Sequence, residues 1–174
     1  LHKSRTRNDH VLVAMHLYIK QELGAIKSQV TALFDLLLSL AEKHQNELMP
    51  GYTHLQVAMP SSFGLWFSAY AESLIDDLYF WQSAHKIADQ NPLGSAAGYG
   101  SAFPIDRDFT TKALDFSQLK INSVAAQMSR GKLEKSTGMA LSAIGSTLAK
   151  FSMDVCLYMG QDFNFISFPD NLTT

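Results

Sequence analysis

The chain has 174 residues, 14 Lys and Arg against 16 Asp and Glu, and 47% hydrophobic residues. That is globular composition at a length that suits one domain of ordinary size. The near-neutral charge argues against a nucleic-acid binder working through phosphate contacts. The single cysteine excludes a disulfide framework and a Cys-rich zinc site.

No apolar segment follows Leu1-His2-Lys3-Ser4-Arg5 as a targeting sequence would require. The longest uncharged stretch, from Leu48 to Ala71, is interrupted by Pro50, Gly51, His54, Gln56 and Pro60. It does not read as a membrane span of about 20 apolar residues. The expectation is a reducing, cytoplasmic setting with no membrane partner. The first methionine is Met15, which suggests a piece of a longer chain.

The first helical pattern is bounded by Asp9 and Met49. Its apolar line is Leu12, Met15, Ile19, Leu23, Ile26, Val30, Leu33, Leu37 and Leu40, at gaps of three or four that make the seam nearly a heptad. Pro50-Gly51 is expected to stop it. Such a helix would be about 58 Å long, against a radius of gyration of about 16 Å for a compact chain of this size.

The second pattern opens after Pro60, with Ser61 or Ser62 as N-cap. It runs along Phe63, Phe67, Tyr70, Leu74, Leu78, Trp81, Ala84 and Ala88, and stops before Asn91-Pro92. A short helix is expected around Asp108–Phe116. The third long pattern starts near Ser129, follows Leu141, Ile144, Leu148, Phe151, Val155 and Tyr158, and fades by Gly160.

Strands should be nearly absent, because alternating β-branched runs are few. The fold class is therefore all-α, an elongated bundle of long helices. Phe34, Leu36, Leu38 and Ala41 widen the first seam beyond what three helices cover, so self-association is expected.

Three connecting segments carry polar residues that could do chemistry. His2–Asp9 puts Arg5, Arg7 and Asn8 before a helix start, where paired guanidinium donors and free N–H groups suit a carboxylate. The plain alternative is a solvated cap with Asn8 or Asp9 as N-cap. Met49–Pro60 holds His54, the one histidine of six in an interhelical connection flanked by turn residues. Its imidazole could exchange a proton near neutrality, with Thr53 and Gln56 holding a polar ligand. The plain alternative is a structural turn.

Asn91–Arg107 is Gly-rich but lacks the phosphate-loop pattern, so it reads as a connection or a carboxylate-binding backbone nest. Cys156 reads as a small core residue, the methionines as gap fillers and Asp76-Asp77 as a solvated face. No metal-ligand spacing occurs.

Taken together the segments resemble the argininosuccinate lyase family of the aspartase/fumarase superfamily. His2-Lys3-Ser4-Arg5-Thr6-Arg7-Asn8-Asp9 is similar to its His-Thr-Gly-Arg-Ser-Arg-Asn-Asp segment. Pro50-Gly51-Tyr52-Thr53-His54-Leu55-Gln56, then Ala58 and Pro60, match its Pro-Gly-Tyr-Thr-His-Leu-Gln-x-Ala-x-Pro motif. Asn91-Pro92-Leu93-Gly94-Ser95 and Phe103-Pro104-Ile105-Asp106-Arg107 match two more segments in order.

The resemblance covers the whole chain and implies the central helical domain, with the N-terminal domain and C-terminal part absent. It implies cofactor-free, metal-free, reversible cleavage of argininosuccinate to arginine and fumarate. By the same resemblance His54 is the catalytic histidine of an acid–base pair. Thr53 and Asn8 would bind substrate, Arg7 would position a carboxylate, and Gln56 is a weaker candidate. It further implies a homotetramer with active sites shared between subunits. The loop carrying the catalytic base would begin beyond Thr174, and the chain alone would be inactive.

The chain departs from the family at Lys3 and Ser4, at His10, at Ala97–Gly100 and at Ser129-Arg130-Gly131-Lys132. The competing readings are a non-catalytic helical assembly module of the same fold, and a sister lyase acting on adenylosuccinate, aspartate or malate.

Overall fold

The computed structural model describes residues 5–172, so His2, Lys3 and Ser4 of the first segment lie outside the described residues. Three long helices dominate: α1 (Arg7–Lys43), α2 (Phe63–Ala88) and α5 (Lys132–Met159). Two short ones, α3 (Arg107–Ala113) and α4 (Ser123–Gln127), lie between α2 and α5. The all-α expectation holds, with the hairpin described below added to it.

Helix α1 begins earlier than its apolar line suggests. The Thr6 hydroxyl accepts from the Asp9 amide at 3.2 Å, so Thr6 is the cap, in place of Asn8 or Asp9. With 37 residues the helix is about 56 Å long. It ends at Lys43, before Pro50-Gly51. The His44 carbonyl turns to accept from the amides of Glu47 and Gly64, each at 3.2 Å.

The chain then forms strands β1 (Leu48–Thr53) and β2 (Gln56–Ser62), an antiparallel hairpin. This corrects the expectation of a strandless connection. Pro50 pairs opposite Pro60, which is allowed because both strands are edges and the missing N–H groups face outward. Proline pairs and a bulge after Gly51 hide the hairpin from a search for β-branched alternation. The Ser62 hydroxyl then accepts from the Leu65 amide at 3.2 Å and caps α2.

Strands β3 (Gln90–Asn91) and β4 (Gln118–Leu119) make a two-residue parallel pair. Asp106 caps α3 through the Phe109 amide at 2.7 Å, and Asn122 caps α4 through the Ala125 amide at 2.9 Å.

The chain divides into two compact units, and α1, α2 and α5 contribute to both. The first holds the residues up to Ser28 with Leu78–Leu141. Its core is Ile19, Leu23, Ala84, Ala88, Leu133 and Ala140, with Met15, Trp81 and Ile87 packed on it. The Trp81 indole donates to the Leu23 carbonyl at 2.8 Å.

The second unit holds Gln29–Asp77 and the residues from Ser142 on. Leu33, Leu37, Tyr70, Leu74, Leu148 and Phe151 pack together there. Beside them is an aromatic cluster in which Trp66 stacks on Phe151 at 5.4 Å. Asp154 accepts from the Trp66 indole at 3.0 Å and the Tyr70 hydroxyl at 2.6 Å. Burial, then that bond to Asp154, holds the Tyr70 hydroxyl well above the usual phenol range.

The seam of α1 is buried at Leu12, Ile19, Leu23, Val30 and Leu37, while Leu36 and Leu38 are exposed. Leu65, Tyr79, Met139 and Met153 are exposed as well. Several methionines therefore lie outside the core, and so does Cys156. Asp77 is buried, contrary to a solvated face. By length and hydropathy α1 and α5 could cross a membrane, which restates their apolar surplus.

Candidate active site

The candidate residues fall in two places. Arg7 and Asn8 belong to the first unit, Thr53 and His54 to the second.

At the start of α1, Asp9 is completely buried. Its carboxylate accepts from the Gly94 amide at 3.1 Å and the Ser95 hydroxyl at 3.0 Å. The first part of the Gly-rich segment, Asn91 to Ala96, is therefore buried and wrapped on Asp9, while Tyr99 and Phe103 beyond it are exposed. Asn91 accepts from the Leu93 amide at 2.9 Å and donates to the Thr111 hydroxyl at 2.8 Å.

Gly94 has φ +90°, and a Cβ there would stand 2.8 Å from Arg107 Cγ. Glycine is required on both counts. Arg107 donates to the carbonyls of Leu93, Ile121 and Lys120 at 2.7–2.9 Å, locking the loop from outside. Burial pulls its guanidinium below the ordinary value, opposed by Asp9 and then Asp108.

Asn8 sits on this base. Its Nδ2 donates to Gln127 Oε1, and its Oδ1 accepts from Arg130 Nη1 at 2.8 Å. Gln127 Nε2 donates to the Ser95 hydroxyl at 2.7 Å and the Ala96 carbonyl at 3.1 Å. Arg7 is exposed. Periodicity gave no sign of Gln127, since α4 is one short turn whose only mark is its Asn122 cap.

His16, about two helical turns further along α1, is buried. Its Nδ1–H donates to the Ala88 carbonyl at 2.8 Å, and its Nε2 has no partner. Burial pulls its pKa below the ordinary histidine value.

His54 and Leu55 form the two-residue tip of the hairpin, between paired Thr53 and Gln56. Their φ angles are +52° and +60°. Two-residue hairpin turns of this hand normally use Asn-Gly or Gly. A histidine and a leucine there are strained, the kind of outlier found at functional sites. Thr53, His54 and Gln56 are exposed. Next to the tip, the Tyr52 ring meets Phe163 at 5.2 Å and Phe165 at 6.4 Å. Among the described residues no group of three His, Cys, Asp or Glu is placed to hold a metal ion.

A family model described as lyase matches residues 1–174. The chain belongs to the lyase family. Among curated relatives, this lyase chain is 51% identical over all 174 residues to an argininosuccinate lyase of Phocaeicola vulgatus, covering 39% of it. It is 38% identical over 174 residues to one of Stenotrophomonas maltophilia, covering 40% of that protein. The chain thus spans about two fifths of the length of the curated relatives it matches.

Two solved lyases share its fold. One is an EDDS lyase in complex with formate, with TM-score 0.90 and 23% identity over 94% of this chain and 33% of that one. The other is a fumarate lyase:delta crystallin from Brucella melitensis bound to cobalt, with TM-score 0.81 and 19% identity over 92% of this chain and 36% of that one.

Proposed function

We propose that the protein carrying this chain is an argininosuccinate lyase. It would release fumarate reversibly from argininosuccinate, leave arginine and need no cofactor. The chain would be the central part of its helical domain, inactive alone. The observation that carries the reading is the 51% identity to a relative of that name across the whole chain. His54 on a strained hairpin tip supports it.

In this reading a proton leaves the carbon beside a carboxylate, and the aci-carboxylate so formed is held by hydrogen-bond donors. The carbon–nitrogen bond then breaks, and the guanidino nitrogen takes a proton as it departs. Donors aimed at the developing charge lower that barrier. His54 is one member of the acid–base pair. Thr53 and Asn8 bind substrate, Arg7 positions a carboxylate, and Gln56 is a weaker contact. The second member of the pair comes from beyond Thr174.

Homotetramer formation, with each active site drawing residues from several copies, fits the exposed apolar residues on all three long helices. The setting in this reading is cytoplasmic.

The test is fumarate release by the full-length protein, offered argininosuccinate, adenylosuccinate, aspartate and malate separately. Release from argininosuccinate alone is expected. Release from another substrate moves the protein to a sister lyase, and release from none overturns the catalytic reading.

A further inference from the structure

We propose that the small cavity between α1 and the start of α5 binds one water molecule, held by His16, Ser129 and Arg130. Through that water His16 is a positioning residue for the turn that holds Asn8. The second statement rests on the lyase reading above, in which Asn8 binds substrate.

The cavity has an apolar wall that includes Leu12 and Leu133 and a polar wall of His16, Ser129, Arg130 and Glu134. The hydrogens on the polar wall are unevenly placed. His16 Nδ1 lies 2.8 Å from the Ala88 carbonyl, which can only accept, so Nδ1 carries the proton and Nε2 a bare lone pair. Burial lowers the His16 pKa, against the bond to Ala88, and the ring stays neutral near neutrality. Nε2 is buried and has no partner among the described residues. Ser129 is buried too, and its hydroxyl donates to the Ala126 carbonyl at 2.6 Å, which leaves its oxygen to accept. Glu134 only accepts, and one of its oxygens is taken by the Gly131 amide at 2.7 Å. Arg130 is the donor. It is exposed and bonded to Asn8 at 2.8 Å.

Two buried acceptors thus share one cavity with no hydrogen between them, an arrangement that is costly unless a donor enters. A water supplies both. One O–H points to His16 Nε2, the other to Ser129 Oγ, and its oxygen accepts from Arg130. Three bonds are what a buried water typically makes. The cavity offers about 10 Å³ to a water's centre, room for one and for nothing larger. Apart from Asn8, Arg130 has no hydrogen-bond partner among the described residues. The water is therefore its second anchor, tying the turn before α5 to His16 in the middle of the packed helices.

The experiment uses crystals and kinetics of the full-length protein with His16→Asn and His16→Gln. Asparagine keeps a donor near the place of Nδ1 but has nothing at the place of Nε2, whereas glutamine reaches that place and can accept there. The unsubstituted protein should show one ordered water bonded to His16 Nε2, Ser129 Oγ and Arg130. His16→Gln should keep the water and His16→Asn should lose it. KM for argininosuccinate should rise about 2- to 10-fold in His16→Asn with kcat held, and stay close to the original in His16→Gln. No water on Nε2 in the unsubstituted protein overturns the proposal, as does an equal change of KM in the two variants. If the His16 variants do not fold, Ser129→Ala decides, since it must displace the water and raise KM with kcat held. An unmoved KM there overturns the positioning role. The water is seen without turnover, so failure of the lyase reading shows separately, as absent fumarate release by the unsubstituted protein.

Discussion

Replacing His54 separates chemistry from backbone geometry, because its φ of +52° treats two standard substitutions differently. Asparagine tolerates the left-handed region, whereas alanine meets the Cβ penalty of about 1–2 kcal/mol there. The imidazole is exposed, so neither change loses much packing. Removing a general acid or base typically costs about 100- to 10,000-fold in rate, or about 2.7–5.4 kcal/mol of barrier. In the full-length protein, His54→Asn and His54→Ala should therefore lose activity equally while differing in stability by about 1 kcal/mol, with Asn the more stable. Activity is followed by the ultraviolet absorbance of fumarate and stability by urea titration. Retention of activity within a few-fold in His54→Asn would remove His54 from the acid–base pair. Equal stability of the two variants would refute the argument from turn strain.

Leu55→Gly should relieve the second strained residue and raise stability by up to about 1 kcal/mol, after the entropy of glycine is counted. A loss in the same titration would mean that the exposed Leu55 is covered by another copy. Gly94→Ala should cost about 2 kcal/mol or more, from its φ of +90° and the 2.8 Å approach to Arg107 Cγ, measured as a lowered urea midpoint. Burial lowers the pKa of His16, so the unfolded chain takes up its proton first as pH falls. Its contribution is complete above about pH 6.5 and is lost below that. His16→Gln should flatten the acid-side fall in stability by up to about 1.4 kcal/mol per pH unit, read from urea midpoints across that range.

The long helices were legible because their apolar residues repeat at helical spacing. Leu12, Ile19, Leu23, Val30 and Leu37 are buried as that spacing requires. The hairpin was illegible because Pro50 and Pro60 mimic a loop in sequence yet face each other across the strands. Helix α4 is too short to show a period. Asn8 and His54 could be singled out by residue type and by resemblance. What holds Asn8 could not. Gln127 and Arg130 lie 119 and 122 positions away along the chain, and only folding brings them to it. Asp9 looked like a cap because caps and buried acceptors use the same residue type. Its role follows from the burial of the Gly94-Ser95 segment, which no local pattern encodes.

The loop closed on Asp9 also has a kinetic consequence. Irregular segments usually trade their amide hydrogens with water quickly, because they open by local fraying. Here the Leu93 amide is held by Asn91 and the Gly94 amide by Asp9, both inside the protein and with no long ladder to fray from. Those two hydrogens should exchange as slowly as the amides of Ile19 and Leu23 in the helix core, through the same large opening. In deuterium labelling this stretch would be counted with the scaffold, although its backbone is drawn as coil.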